Sequence, residues 1–207
     1  MSAPTVRRLA TRHVETSSDA PFAPNAFLRI DRAGKVTFVM PVVEMGQGTY
    51  TLIPMLIAEE LEVDIDKVAI EHSPPDDKIY ANPLTGVQLT GGSTSIRGTY
   101  VPLRQAGAAA RVMLMSAAAQ RWKVDPSTCR AKNGEVVHAP TGRKVSYGQL
   151  VDAAAKLPVP KDVVLKAPKD FKLIGRSEEH TSEFQSHSDL VCRLLLEIGR
   201  ASCRERV

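Results

Sequence analysis

The sequence is poor in aromatic residues, in cysteine and in long apolar runs, and each shortage excludes a class of protein. Only 5% of its 207 residues are aromatic, so aliphatic side chains and alanine must fill the core. The three cysteines, Cys129, Cys192 and Cys203, have neither the spacing of a zinc site nor the even number of a disulfide framework. We therefore expect inert cysteines and predict no set of side chains that binds a metal ion.

The distribution of charge and hydropathy excludes two further classes. The net charge is +4, but basic residues are scattered among acidic ones, and no basic run is present that would follow a phosphate backbone. We expect no nucleic-acid binding. No window reaches the roughly 18 apolar residues of a membrane span. The pair Arg7-Arg8 is not followed by the apolar stretch of an export signal, so no such signal is predicted in this chain.

Short β-prone runs predict strands that are joined by hairpins. Residues 27–30 and 35–40 flank a turn in which Gly34 can supply a positive φ angle. The pair Asn133-Gly134, between two further runs, is the strongest short hairpin signal in the chain. Together with the helices described next, these strands predict an α+β fold that contains a mixed sheet.

Two main helices and one short helix are expected. The first main helix covers residues 51–61, whose apolar side chains lie on more than one face, and Pro54 fits in its first turn. The second runs from Ser95 to Trp122 and is rich in alanine, which permits close packing. The short helix is expected from Ser146, its N-cap, to Leu157.

Changes in composition divide the chain into four parts. Residues 1–21 are small and polar, and we expect a flexible lead. Residues 22–160 contain all the predicted strands and helices and form the predicted domain. Residues 161–175 contain several prolines and are expected to be a connector to further sequence. At residue 176 the composition changes abruptly, and residues 176–207 form a tail of a different kind.

The tail 176–207 has two interpretations. One is an ordinary helix-forming C-terminus. The other comes from its codons, because Arg176–His180 and Glu197–Ala201 can both be encoded by DNA that contains AGATCGGAAGAGC, in two different frames. That string resembles the adapters ligated to DNA for short-read sequencing. We predict that residues 176–207 are non-native, translated adapter, so that His180 and His187 need no functional role.

Two loops that contain glycine, each before a main helix, are the strongest candidates for a binding site. They are Glu44-Met45-Gly46-Gln47-Gly48-Thr49-Tyr50 and Thr90-Gly91-Gly92-Ser93-Thr94-Ser95. Glycine lets the backbone approach a ligand closely, and the N–H groups of a helix N-terminus favour an anion. The amide of Gln47 can donate and accept in one plane, as the edge of a pterin or nucleobase requires.

The residues alone leave two alternatives open, tight turns without a ligand or a site for a flat, anionic cofactor. Residues 74–94 form a long irregular segment, which is typical of a functional loop. If one cofactor binds both glycine loops, the loops must converge at one end of the sheet.

Several other polar residues are expected to lie outside the chemistry. Glu44, beside the first glycine turn, is interpreted as structural rather than as a catalytic base. Asp76 and Asp77 are expected to be solvated, and His72 to be packed or surface-exposed. Arg97 and Arg104 share one face of the second main helix, and Arg97, in its first turn, is the better candidate for a phosphate contact.

The segment from Phe22 to Gly175 contains the motifs EMGQGTYT and TGGSTSIRG in this order. It resembles the N-terminal part of the molybdopterin-binding large subunit of the xanthine dehydrogenase and aldehyde oxidase family, in particular the isoquinoline 1-oxidoreductase β-subunit branch. The resemblance implies the cofactor molybdopterin cytosine dinucleotide, with its pyranopterin at Gly46, Gln47 and Gly48. It implies that the phosphates lie at Gly91, Gly92, Ser93, Thr94 and Ser95. Thr49 and Arg97 complete the expected cofactor-binding set.

The resemblance also implies an activity and a partner. Family members hydroxylate an aldehyde or an N-heterocycle with oxygen from water, and electrons pass to [2Fe–2S] clusters on a small iron–sulfur subunit. Their catalytic glutamate lies near the end of the large subunit, so we expect no catalytic residue in this chain and no activity of the chain alone. The family occurs in the periplasm or at the cytoplasmic face. The alternative function is a stand-alone module that binds a phosphorylated ligand without catalysis.

Overall fold

The computed structural model describes residues 21–175 of the chain. The predicted flexible lead, apart from Pro21, and the tail that is predicted to derive from adapter lie outside the described residues. This part of the chain contains two sheets and several helices that do not alternate regularly, so the predicted α+β fold is confirmed. No helix within residues 21–175 has the length and apolar character needed to cross a membrane.

The first sheet has four strands in chain order, β1 (Phe22–Asn25), β2 (Leu28–Ile30), β3 (Val36–Met40) and β4 (Val68–His72). The first two pairs are antiparallel, and β3 pairs with β4 in parallel, so the sheet is mixed as predicted. Gly34 has a φ of 86° in the β2–β3 turn, which confirms the predicted hairpin. All residues of β3 are buried, as expected for a strand covered on both faces.

The second sheet has three antiparallel strands, β5 (Cys129–Lys132), β6 (Glu135–His138) and β7 (Lys144–Ser146). Asn133 and Gly134 join β5 to β6 with φ angles of 49° and 79°. Two successive positive φ angles match the twist of a hairpin. The hairpin predicted at these two residues is confirmed.

Four helices lie between and beside the strands of the described region, α1 (Thr49–Leu61), α2 (Asp77–Tyr80), α3 (Ser95–Trp122) and α4 (Val151–Ala154). The bounds of α3 are those predicted. Helix α1 begins before the predicted residue 51, so Pro54 lies in its second turn, and its predicted place in the first turn is wrong. The earlier start has a local cause, because the Glu44 carboxylate accepts a hydrogen bond from the backbone N–H of Tyr50 in the first turn.

The short helix predicted from Ser146 to Leu157 is also wrong in its start. Ser146 pairs with Glu135 at the end of β7 and caps no helix. The next residue, Tyr147, is buried, and its hydroxyl donates to the carbonyl of Leu61 at 2.7 Å. The strand therefore continues to Ser146, and helical turns begin only at Gly148, after the anchored Tyr147.

Helices α1 and α3 pack closely because α3 presents small side chains to α1. A Cβ atom at Gly107 would lie 2.6 Å from the carbonyl oxygen of Ile57, so only glycine permits this approach. Ala108, Ala110 and Ala118 are fully buried on α3. The close helix packing that the alanine content predicts is therefore confirmed. The starts of α1 and α3, at Thr49 and Ser95, line the same cavity.

Residues 161–175, expected as a connector, pack along α1 through a buried carboxylate. The Glu59 side chain has no exposed area. It accepts from the backbone N–H groups of Lys172, Leu173 and Ile174 and from Lys166 Nζ at 2.9 Å. Burial by itself raises the pKa of Glu59, but these hydrogen bonds outweigh burial and hold the pKa below its usual range.

A second buried carboxylate, Glu60, ties α1 to α3. Arg104 Nη2 lies 2.7 Å from Glu60 Oε1, and both side chains are almost fully buried. The Arg104 guanidinium also lies over the rings of Tyr100 and Phe171, at 5.1 and 4.9 Å from their centroids. Arg104 is therefore part of the packing between α1, α3 and the connector.

Candidate functional site

The two glycine loops line one cavity of about 370 Å³. Its lining residues are Met45, Gln47 and Thr49 from the first loop and Thr90, Gly91, Gly92, Ser93, Ser95 and Ile96 from the second. A hydrogen bond of 3.0 Å from the N–H of Val43 to Thr90 Oγ1 joins the loops. The predicted convergence of the loops is confirmed, and none of the described residues that line the cavity is charged.

The carboxylate of Glu44 organises the first loop. Its Oε1 accepts from the N–H groups of Gly46 at 2.7 Å and Gly48 at 3.0 Å. Its Oε2 accepts from the Tyr50 N–H at 2.9 Å and from the Thr49 hydroxyl at 3.2 Å. The bond from Tyr50 is the largest cause of a lowered Glu44 pKa of about 2; burial opposes it, and the bonds from Gly48, Gly46 and Thr49 add to it.

This contact corrects one expectation about the first loop. The N–H groups at the start of α1 were expected to favour an anionic ligand, but an anion of the chain itself, the Glu44 carboxylate, already accepts from Tyr50 there. The start of α1 is therefore capped internally. The interpretation of Glu44 as a structural residue agrees with these four contacts.

The amide of Gln47 is also used inside the loop. Its Nε2 donates to the carbonyl of Val43 at 2.9 Å, and its Oε1 accepts from the N–H of Met45. The side chain nevertheless lines the cavity and is exposed. Its second N–H and its second lone pair are the groups with which it could meet the edge of a ligand.

The two glycines that flank Gln47 shape the turn. Gly46 and Gly48 have φ angles of 92° and 82°, which side chains rarely adopt. Neither is among the residues that line the cavity. Thr49, by contrast, lines it, and its buried hydroxyl bonds to Val43 and Glu44. The structure thus brings Gln47 and Thr49 to the cavity, while the glycines set their positions.

The second loop turns at Gly92 and Ser93, which have φ angles of 62° and 53°. Thr94 is the N-cap of α3, and its hydroxyl donates to the Gly91 carbonyl at 2.7 Å instead of capping the helix. Within the described part of the chain, no side chain caps the start of α3 by a hydrogen bond. Backbone N–H groups at the start of α3, with the hydroxyls of Ser93 and Ser95, are therefore the donors offered at this side of the cavity.

Asn82 positions the second loop and was not predicted from the sequence. It is buried, and its Nδ2 donates to Thr94 Oγ1 at 2.8 Å. Its Oδ1 lies so close to Gly98 that a Cβ there would clash with it. A glycine inside the predicted helix was the available signal, because such a glycine indicates a close approach.

The two arginines of α3 have different surroundings. Arg97 is exposed and is not among the residues that line the cavity. Arg104, on the same predicted face, is buried against Glu60. Arg104 is therefore engaged inside the fold, whereas Arg97 is accessible, which agrees with the preference for Arg97 as the phosphate contact. The contact itself remains a prediction.

The other candidate side chains serve the loops around the cavity. Asp76 Oδ1 accepts from the Lys78 N–H and caps α2, while Asp77 Oδ1 accepts from the Gln88 N–H. His72 is exposed and hydrogen-bonds to the Tyr50 hydroxyl. Across residues 21–175, no three His, Cys, Asp or Glu side chains are grouped so that they could hold a metal ion.

The cavity offers binding chemistry without a reactive side chain. Hydroxyls and backbone N–H groups suit phosphate oxygens, and the absence of a carboxylate from the described lining avoids repulsion of an anion. Met45 and Ile96 add apolar surface for a flat ring. The described lining contains no side chain that could act as a base near neutral pH, and it offers hydrogen-bond donors and apolar surface instead.

Comparison with known proteins assigns the chain to a protein family. Residues 3–191 match the family model of the molybdopterin cofactor-binding domain. The chain is 40% identical over 144 residues to isoquinoline 1-oxidoreductase subunit beta of Brevundimonas diminuta, which covers 69% of this chain and 18% of that protein. It is 31% identical over 171 residues to membrane-bound aldehyde dehydrogenase (pyrroloquinoline-quinone) of Gluconacetobacter polyoxogenes, which covers 77% of this chain and 20% of that protein.

A solved structure, quinoline 2-oxidoreductase from Pseudomonas putida 86, is similar with 20% identity and a TM-score of 0.42, over 67% of this chain and 19% of that chain. The chain spans about a fifth of the length of the two curated relatives. The family match extends to residue 191 and so includes part of the tail that is predicted to derive from adapter. Because the family model matches most of the chain, including both glycine loops and all described residues, the chain belongs to the molybdopterin cofactor-binding domain family.

Proposed function

We propose that this chain binds molybdopterin cytosine dinucleotide in the cavity between the two glycine loops, as part of the large subunit of a molybdenum hydroxylase. One observation carries the proposal. The two loops that resemble the family's cofactor loops line a single cavity, and its described lining holds hydroxyl and N–H donors but no charged side chain. This donor set fits a phosphorylated, flat cofactor.

The two sides of the cavity suggest an orientation for the cofactor. The uncapped start of α3, with Ser93 and Ser95, suits the phosphates, because N–H groups and the positive end of the helix dipole favour negative charge. The first loop suits the pterin, since Glu44 already fills the start of α1 and would repel a phosphate. Gln47 then faces the pterin edge with its remaining hydrogen-bonding groups.

In the complete protein, we propose oxidation of an aldehyde or an N-heterocycle with oxygen from water. The relatives named for isoquinoline and aldehyde oxidation support these two substrate classes. The molybdenum of the bound cofactor would supply the redox chemistry, and the residues of this chain would hold and orient the cofactor. One relative is named as a subunit, which supports the presence of a partner subunit, and we propose that this partner is small and carries [2Fe–2S] clusters.

The proposal can be tested by measuring cofactor affinity. The full chain is titrated anaerobically with molybdopterin cytosine dinucleotide released from a purified molybdenum hydroxylase, and binding is followed by pterin fluorescence. We expect saturable binding of one cofactor per chain. Absence of binding would refute the proposal. Cytidine diphosphate that binds as tightly as the cofactor would favour the alternative, a module for phosphorylated ligands in general.

A substitution of Arg97 tests whether this residue contacts the phosphates of the cofactor. Arg97→Ala should weaken binding and reduce its salt dependence, because a charge near the phosphates is removed. The matched control is Arg121→Ala, which removes an exposed arginine from the last turn of the same helix. If both variants bind like the unsubstituted chain, Arg97 does not belong to the site.

A further inference from the structure

The carboxylate of Glu44 joins the first glycine turn to the start of α1. One oxygen accepts from the N–H groups of Gly46 and Gly48, which belong to the turn. The other accepts from the N–H of Tyr50 and the hydroxyl of Thr49, which belong to the helix. A single side chain therefore fixes the turn relative to the helix.

An ionised carboxylate suits the three backbone N–H groups, which can only donate. It presents two acceptor oxygens and no hydrogen. A glutamine at this position would direct its NH₂ group at one or more of these backbone N–H groups, so at least one backbone contact would be lost. The pKa of Glu44, lowered to about 2 mainly by the Tyr50 N–H, agrees with a carboxylate that stays charged at every physiological pH.

The contacts of Glu44 lead directly to the cavity. Thr49, which bonds to Glu44, lines the cavity. Gln47, which lies between the two glycines bound by Glu44, also lines it. Val43, which receives the Gln47 amide, donates in turn to Thr90 of the second loop. Glu44 therefore controls the position of lining groups without being a lining residue.

We propose that Glu44 is a positioning residue for the cofactor, whose carboxylate holds the turn between Gly46 and Gly48 in its binding geometry before the cofactor arrives. This inference rests on the proposed function. It differs from a purely structural role, because it predicts that loss of the carboxylate weakens cofactor binding in a chain that remains folded.

The test compares Glu44→Gln with a matched control, Asp125→Asn. Asp125 also accepts a backbone N–H, that of Ser127, but lies beside the second sheet, far along the chain from the glycine loops. Affinity for molybdopterin cytosine dinucleotide is measured for folded protein, with folding checked by far-UV circular dichroism. We expect E44Q to bind at least about tenfold more weakly, since several donors lose their charged acceptor, and the control to bind within about twofold.

Two outcomes would overturn the proposal, and they can be told apart. Equal affinity of E44Q and the unsubstituted chain overturns the positioning role alone, whereas absence of binding by the unsubstituted chain overturns the proposed function as well. If E44Q fails to fold, the amide resonances of Gly46 and Gly48 in the unsubstituted chain decide. Low-field shifts that are the same without and with cofactor support a preset turn, and shifts that appear only with cofactor overturn it.

Discussion

Replacing Glu59 by glutamine should lower the free energy of unfolding by about 3 kcal/mol. The Glu59 side chain has no exposed area, and Lys166 beside it is 10% exposed. Breaking a buried ion pair by removing one charge costs about 3–5 kcal/mol. Lys166 keeps a second partner, Glu62, at 2.6 Å, so the low end of this range applies.

The measurement is urea unfolding of the full chain, followed by circular dichroism. The control is Glu71→Gln, whose carboxylate pairs with Arg29 but is 55% exposed, and which should change the free energy by less than about 1 kcal/mol. Hydrogen exchange adds a local readout, because the N–H groups of Lys172, Leu173 and Ile174 should exchange faster in E59Q. A variant as stable as the unsubstituted chain would refute the account of how the connector packs on α1.

Four further predictions concern the loops and the tail. Gly92→Ala should weaken cofactor binding more than the control, Gly142→Ala. Both glycines have similar positive φ angles, 62° and 68°, so both variants should be less stable by about 1 kcal/mol. Equal cofactor affinities of the two variants would contradict this prediction. Gln47→Ala should reduce the molybdenum and cytidine nucleotide content of the full-length protein without unfolding, because losing a hydrogen-bond partner costs about 1–3 kcal/mol; unchanged content would remove Gln47 from the site. The stabilisation from Glu44, whose pKa is lowered to about 2, is fully present above its unfolded pKa of about 4.5 and should be lost as the pH falls towards 2; acid titration of unfolding should show this loss in the unsubstituted chain and not in E44Q. A shortened chain without residues 176–207 should unfold at the same temperature as the full chain, and loss of folding would show that the tail is native.

Much of the fold follows from local signals in the sequence. Asn133 and Gly134 can form the observed turn with no help from distant residues, and the alanine-rich run up to Trp122 favours one long helix whatever packs on it. The start of the short last helix was misplaced because a distant contact, from Tyr147 to the Leu61 carbonyl, decides it. Local patterns cannot indicate such a contact.

The candidate site also combines features that local sequence signals predict with features that they do not. Glycines beside helix starts predicted both loops, and the assumption of one shared cofactor predicted their convergence. The sequence did not indicate that the Glu44 carboxylate would accept hydrogen bonds at the start of α1. Glu44 lies four positions before the N-cap, Gly48, and it reaches the helix only because the loop between them turns back. Asn82 was missed for a related reason, since it reaches Thr94 from a segment without regular structure.

We propose above that the cofactor binds between the two glycine loops. The most direct measurement is the change in backbone amide resonances of the full chain when molybdopterin cytosine dinucleotide is added. We expect the largest changes within residues 45–49 and 90–96, the two segments that contribute the lining residues of the cavity. Changes confined to the second sheet, residues 129–146, or no changes at a saturating concentration of the cofactor, would contradict it.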